Sequence, residues 1–182
     1  MTSFEQPPQK FTLPENLDDK DLELIQWQCK IQHAESDEQI KGFTQAYSEA
    51  KKVAKDKKWI KELTSKKLED FIKFLGLKIE KEHNKNGFRE VPARFDATTF
   101  APDPKLIEQA IKRFCEGFIA FIENPIEDER LSTDILYEEF EKTHPFFDGN
   151  GRVGDLLWKI LETVKSEKWP KELPPNIFDE ER

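Results

Sequence analysis

Cysteine is nearly absent, with Cys29 and Cys115 the only two. Two thiols that far apart supply neither a disulfide framework nor a zinc knuckle. Each falls in an apolar-periodic stretch, so both read as reduced core residues. Positive charge is in deficit as well. With 29 Lys and Arg against 37 Asp and Glu, the formal net charge is -8, and long-range electrostatics oppose binding to nucleic acid or to an anionic membrane. Long hydrophobic runs are missing too: nothing approaches the roughly 18 apolar residues of a membrane span, and MTSFEQPPQK lacks the apolar centre of a secretory signal. The expected location is the cytoplasm, with neither nucleic acid nor membrane as a partner. Glycine is scarce at seven residues, and three of the seven gather between positions 149 and 154. Aromatic bulk is what the chain has in quantity. Its 15 Phe and 4 Trp supply large packing units, so one core is expected in 182 residues despite 36% charged residues.

Along the chain, residues 1–16 hold Pro7, Pro8 and Pro14 without apolar periodicity and read as a flexible lead-in. Residues 17–63 read as a helical extension. Leu22, Ile25 and Cys29 form an imperfect stripe, and Ile40, Phe43, Tyr47, Ala50 and Ala54 form a clear one behind the capping residues Ser36 and Asp37. Residues 51–67 carry eight Lys against Asp56 and Glu62, a pattern read as a solvated helix face. From 64 to 182 a helical core is expected. Leu68, Phe71, Ile72, Leu75 and Ile79 mark a helix that Asn84, Asn86 and Gly87 should end. FREVPARF at 88–95 has extended character, but Pro92 lacks a ladder donor, so it suits an edge strand or short hairpin. A long helix follows Pro104 on Ile107, Ile111, Phe114, Phe118 and Ile122. Others are expected at about 132–142 and 152–167, and a closing irregular segment should pack Trp169, Ile177 and Phe178 on the body. The predicted fold is all-α with a short β-hairpin flap.

The glycine cluster carries the chemistry. Proline disfavours helical geometry at the residue before it, so His144-Pro145 should end one helix, and Gly149-Asn150-Gly151 should turn tightly into the next. Glycines allow close backbone approach, and a helix start presents free N–H groups with about half a positive charge, which together make an anion site suited to phosphate. Arg152 adds a planar cation for phosphate oxygens, and Asp148 a hard oxygen for Mg²⁺ carried by a polyphosphate. His144, with an ordinary pKa near neutrality, can take a proton from an attacking hydroxyl. Phosphoryl-type transfer is the chemistry these residues fit. His33 and His83 have no Cys or His neighbours at ligand spacing and read as surface residues near helix ends.

His144-Pro145-Phe146-Phe147-Asp148-Gly149-Asn150-Gly151-Arg152 resembles the signature loop of the Fic family. The resemblance extends over about 64–167, with Gly87-Phe88-Arg89-Glu90-Val91-Pro92 similar to that family's flap. It implies that His144 deprotonates a Tyr, Ser or Thr hydroxyl of a target protein, which attacks the α-phosphate of ATP, so that AMP is transferred and pyrophosphate leaves. On this analogy Asp148 holds Mg²⁺, Gly149, Asn150 and Gly151 hold phosphate oxygens, Arg152 binds the polyphosphate, and Phe146 anchors the loop. The flap residues Arg89, Glu90, Val91, Pro92 and Ala93 would hold the target by strand addition.

The family motif usually closes with a second arginine three residues after the first, where this chain has Asp155. Residues three apart on a helix are neighbours, so Asp155 is expected beside the nucleotide. Either it weakens ATP by repulsion, or it points away and the repulsion is avoided, or it serves a different phosphate-containing donor. A binding module that has lost catalysis is the alternative from another class. The family's inhibitory Ser/Thr-x-x-x-Glu motif is matched only in part, by Ser65–Asp70 and by Thr163–Glu167. Self-inhibition is thus either absent or supplied by a separate inhibitor protein.

Overall fold

The computed structural model describes residues 11–177, so most of the proline-rich lead-in and Phe178 lie outside the described residues. The elements in order are α1 (Asp19–Ile31), α2 (Asp37–Lys55), α3 (Lys57–Lys61), α4 (Ser65–Ile79), a single 3-10 turn (Pro104–Leu106), α5 (Ile107–Glu123), α6 (Thr133–Thr143) and α7 (Asn150–Ser166). The all-helical expectation holds. No helix among the described residues is long and apolar enough to cross a membrane.

Local chemistry sets the helix starts. Ser36 accepts from the Gln39 N–H while the Gln39 side chain accepts from the Ser36 N–H. This reciprocal cap satisfies two donors that would otherwise be orphaned, and such caps contribute about 1 kcal/mol. Asp18 and Asp21 make the same arrangement for α1. Asp56 interrupts the lysine stretch by accepting from the Lys58 and Trp59 N–H groups, which divides it between α2 and α3. That stretch is not wholly a solvated face: Lys51 is buried and pairs with the buried Asp21 at 2.6 Å.

The core is continuous. Ile25, Phe43, Tyr47, Ile72, Phe114, Phe118, Phe140, Phe146, Leu156 and Trp169 belong to one buried cluster, so the stretch 17–63 packs into the same core as the rest. The central element is α7, which lies against α2, α4, α5 and α6 and is buried from Arg152 to Leu161. Trp169 closes the far end, edge-on to Tyr47 at 5.4 Å, and Ile177 is half-buried. Of the lead-in, Asn16 is docked through a hydrogen bond to the Ser48 carbonyl at 3.0 Å.

Two boundaries differ from expectation. Helix α4 stops at Ile79, before Asn84, because the Asn84 amide turns back to donate to the Gly76 carbonyl at 3.0 Å and the Asp148 carbonyl at 2.8 Å. The hairpin flap is reduced among the described residues to one antiparallel bridge, Arg94 to Phe100. Residues 88–93 form no strand, since Pro92 has no amide to give and Arg89 turns its side chain inward. Asp96 organises the tip instead, accepting from the Thr98 and Thr99 N–H groups at 2.7 Å each.

Candidate functional site

The loop between α6 and α7 is built around Phe146. Its ring is fully buried against Gly76, where a Cβ atom would stand only 2.4 Å from it, so only glycine on α4 admits the anchor. Asn150 then closes the loop, accepting from the Phe146 N–H at 2.8 Å and donating to the Phe146 carbonyl at 3.0 Å. Its side chain is spent inside the loop. Gly149 caps α7 with φ 80° in the left-handed region, and a Cβ there would meet Ile79 at 2.9 Å. No side chain caps this helix start, so the early amides of α7 keep their affinity for an anion.

His144 takes up the left-handed conformation, φ 47° and ψ 59°, at the C-terminus of α6. A non-glycine residue there costs about 1–2 kcal/mol and needs support. Arg89 supplies it. Arg89 is 5% exposed, and its guanidinium donates to the carbonyls of His144 at 2.6 Å, Pro102 at 2.8 Å, Val91 at 2.9 Å and Thr143 at 3.4 Å. Its backbone N–H donates to the Pro145 carbonyl at 2.8 Å. Burial holds the His144 pKa below its ordinary value, and the charge of Arg89 pushes it the same way. The backbone of Glu141 and the carboxylate of Asp148 oppose this without reversing it. The imidazole is therefore neutral at neutral pH, the form a base requires. Phe95 from the flap stands edge-on to it at 5.1 Å.

His144 and Phe95 border a cleft of about 1050 Å³. The signature loop lines it with His144, Phe147, Asp148, Gly149, Asn150 and Gly151, α1 with Gln28 and Ile31, the residue capping the end of α1 with Gln32, and the flap with Phe95 and Phe100. Gln28 donates to the Gly151 carbonyl at 3.4 Å, so the N-terminal extension forms one wall. Asp148 reaches the cleft with its side chain 48% exposed.

Other expected members of the site lie elsewhere. Arg152 is 1% exposed and does not line the cleft; its Nη2 donates to Glu80 at 2.5 Å and its Nε to Gln32 at 3.3 Å. Asp155 is not beside the cleft either. It is fully buried, 3.2 Å from the equally buried Lys159, which in turn donates to the Glu172 carbonyl. One turn below its open start, α7 is covered by α2 and the C-terminal segment, so proximity to Arg152 along the helix does not bring Asp155 to the surface. In the flap, Arg89 faces inward and cannot meet a target, while Glu90, Val91 and Pro92 are exposed, Ala93 is half-buried, and none of them borders the cleft. Of the flap residues that do border it, Arg94 and Phe95 close the expected flap at 88–95, while 96, 99, 100 and 102 were missed, although Asp96-Ala97-Thr98-Thr99 has the composition of a turn. Glu80 and His83 were missed as neighbours of Asp148, because their proximity arises from the turn after α4 and no sequence spacing displays it.

A model of the Fic/DOC family matches residues 56–161, which includes the flap, α4 to α6 and the start and middle of α7. No curated protein and no solved structure matches the chain. The match spans more than half of the chain, and the protein belongs to the Fic/DOC family. Members of this family are in general transferases that act on protein targets and move nucleotidyl or other phosphate-containing groups.

Proposed function

We propose that the protein transfers AMP from ATP to a Tyr, Ser or Thr hydroxyl of another protein in the cytoplasm, with His144 as general base. The observation that carries this reading is the neutral His144 facing the same cleft as the uncapped start of α7. The cleft can hold a nucleotide with its phosphates against the α7 amides while the target hydroxyl approaches His144 past the flap. Proton removal by a positioned base contributes typically ~10²–10⁴ in rate, and the rest comes from orientation and from charge stabilisation at the helix start. Asp148 offers a half-exposed hard oxygen in the cleft and fits Mg²⁺, which would neutralise phosphate charge when bound.

A second reading rests on a specific observation. With Arg152 paired to Glu80 and Asp155 buried, the side-chain cations lining the cleft are Arg94 and Lys142, and Lys142 is bonded to Glu138. A donor with fewer phosphates than ATP, or one carrying a cationic head group, is the alternative. Incubating the protein with lysate and each donor in turn, and reading mass shifts on hydroxyl side chains, separates the two.

His144→Ala is expected to abolish transfer while leaving nucleotide affinity within about twofold, because the imidazole is assigned to the hydroxyl and not to the phosphates. Isothermal titration beside a transfer assay checks this, and a joint loss of binding and fold would refute it. Since the folded pKa is depressed, the active neutral form persists below pH 6.5. The rate at saturating donor should therefore fall only as pH drops below that value. Asp148→Ala should weaken donor binding in Mg²⁺ but not in EDTA. Equal affinities for both proteins in Mg²⁺ would remove that assignment.

A further inference from the structure

Beyond the end of α4 the chain turns so that His83 faces the signature loop. Its Nδ1 lies 3.6 Å from Glu80 Oε2 and 3.7 Å from Asp148 Oδ2, and the three ligand atoms fall within 4.8 Å of one another. Both distances exceed a hydrogen bond. They are close to the edge of a tetrahedral zinc site, where bonds of about 2.0–2.1 Å put neighbouring ligands about 3.3–3.4 Å apart.

The remaining oxygens of the two carboxylates are already engaged. Glu80 Oε1 accepts from Arg152 at 2.5 Å and from Gln39 at 2.9 Å, and Asp148 Oδ1 accepts from the Gly149 N–H at 2.6 Å. Each carboxylate is thereby oriented with its second oxygen toward the imidazole. The Glu80 side chain is only 6% exposed, yet among the described residues its Oε2 accepts no hydrogen bond. That oxygen keeps its lone pairs free on the side that faces His83 and Asp148, where a cation can take them up. The ring of His83 is held against Phe147, with centroids 5.2 Å apart and planes tilted by 30°. Two carboxylates set against the one guanidinium of Arg152 leave a net negative charge for an ion.

We propose that Glu80, His83 and Asp148 form a site for a divalent transition metal of zinc-like preference. Two ligands come from the turn after α4 and one from the signature loop, with Arg152 and Gln39 as the outer partners that fix Glu80. Imidazole suits Zn²⁺ and its transition-metal neighbours, whereas Mg²⁺ prefers oxygen ligands in octahedral geometry. The site goes beyond the transfer reading, because it needs no nucleotide and takes a softer ion; Asp148 is the one residue common to both.

The test titrates ZnCl₂ into the full chain without nucleotide, by calorimetry, and adds Co²⁺ in parallel to read its visible absorption. One Zn²⁺ per chain, a tetrahedral Co²⁺ band, and at least about tenfold weaker binding in His83→Ala are expected. His33→Ala should bind as the parent does. His83 is half-exposed and outside the core, so its variant retains the fold. Absence of saturable Zn²⁺ binding tighter than about 100 μM, or binding that His83→Ala leaves unchanged, overturns the proposal. Neither result touches the transfer reading, whose assay does not depend on His83.

Discussion

Asp155→Arg is expected to unfold the protein, or to destabilise it by about 3–5 kcal/mol, the range seen when one partner of a buried ion pair is removed. Asp155 and Lys159 are both fully buried and 3.2 Å apart. A guanidinium at this position would set two cations against each other in the middle of the core and displace the well-packed residues around α7. Gain of ATP affinity, the result to expect if position 155 bordered the nucleotide, should not appear. Urea unfolding of the parent and the variant measures the loss. The double replacement Asp155→Leu with Lys159→Met should recover most of the stability, because removing both charges of a buried pair is often neutral. A folded Asp155→Arg variant with normal stability and tighter ATP binding would place the residue at the cleft after all.

This residue shows where sequence reasoning reached and where it stopped. The stripes in α2, α4, α5 and α7 were legible because a single amphipathic face imposes a period of 3.6, and Ser36 marks the start of α2 by its capping chemistry. The loop from His144 to Gly151 was legible as a helix end followed by a tight turn into the next helix, because the proline and glycines that mark it are contiguous in the chain. What lies across the helix from that loop was not. Helical spacing places Asp155 near Arg152, but not whether α2 and the C-terminal segment cover that side. Arg152 and Arg89 look from sequence like cations reaching for ligands. In the fold one is paired with Glu80 and the other has its donors taken up by a ring of carbonyls, partners contributed largely by segments distant in the chain. Arg94 and Phe100 border the cleft only because a single bridge folds the flap back on itself, and a lone bridge leaves no periodic trace.

Arg89→Met is expected to have the second large effect, on both stability and transfer. The variant keeps apolar bulk but removes the donors to the His144, Thr143, Val91 and Pro102 carbonyls. Buried carbonyls left unsatisfied cost about 1–3 kcal/mol each, and part of that returns through relaxation and water, so a loss of about 3 kcal/mol is expected in urea unfolding. The effect on transfer has a separate origin. His144 occupies a left-handed conformation that Arg89 holds by its carbonyl, and a base displaced by about 1 Å can lose roughly 10²-fold in rate. Donor binding should change less, since the α7 amides and Asp148 do not touch Arg89. A merely structural role would lower the amount of folded enzyme without altering its pH profile. Arg89 does more, because its charge also depresses the His144 pKa. Removing it should raise that pKa, and the acid limb of the rate at saturating donor should move to higher pH in the fraction that remains folded. Arg89→Lys keeps one charge but cannot span four carbonyls, so it should retain much of the low-pH activity while recovering little of the stability. An Arg89→Met enzyme with the parent's pH profile and rate per folded molecule would show that Arg89 braces the flap alone.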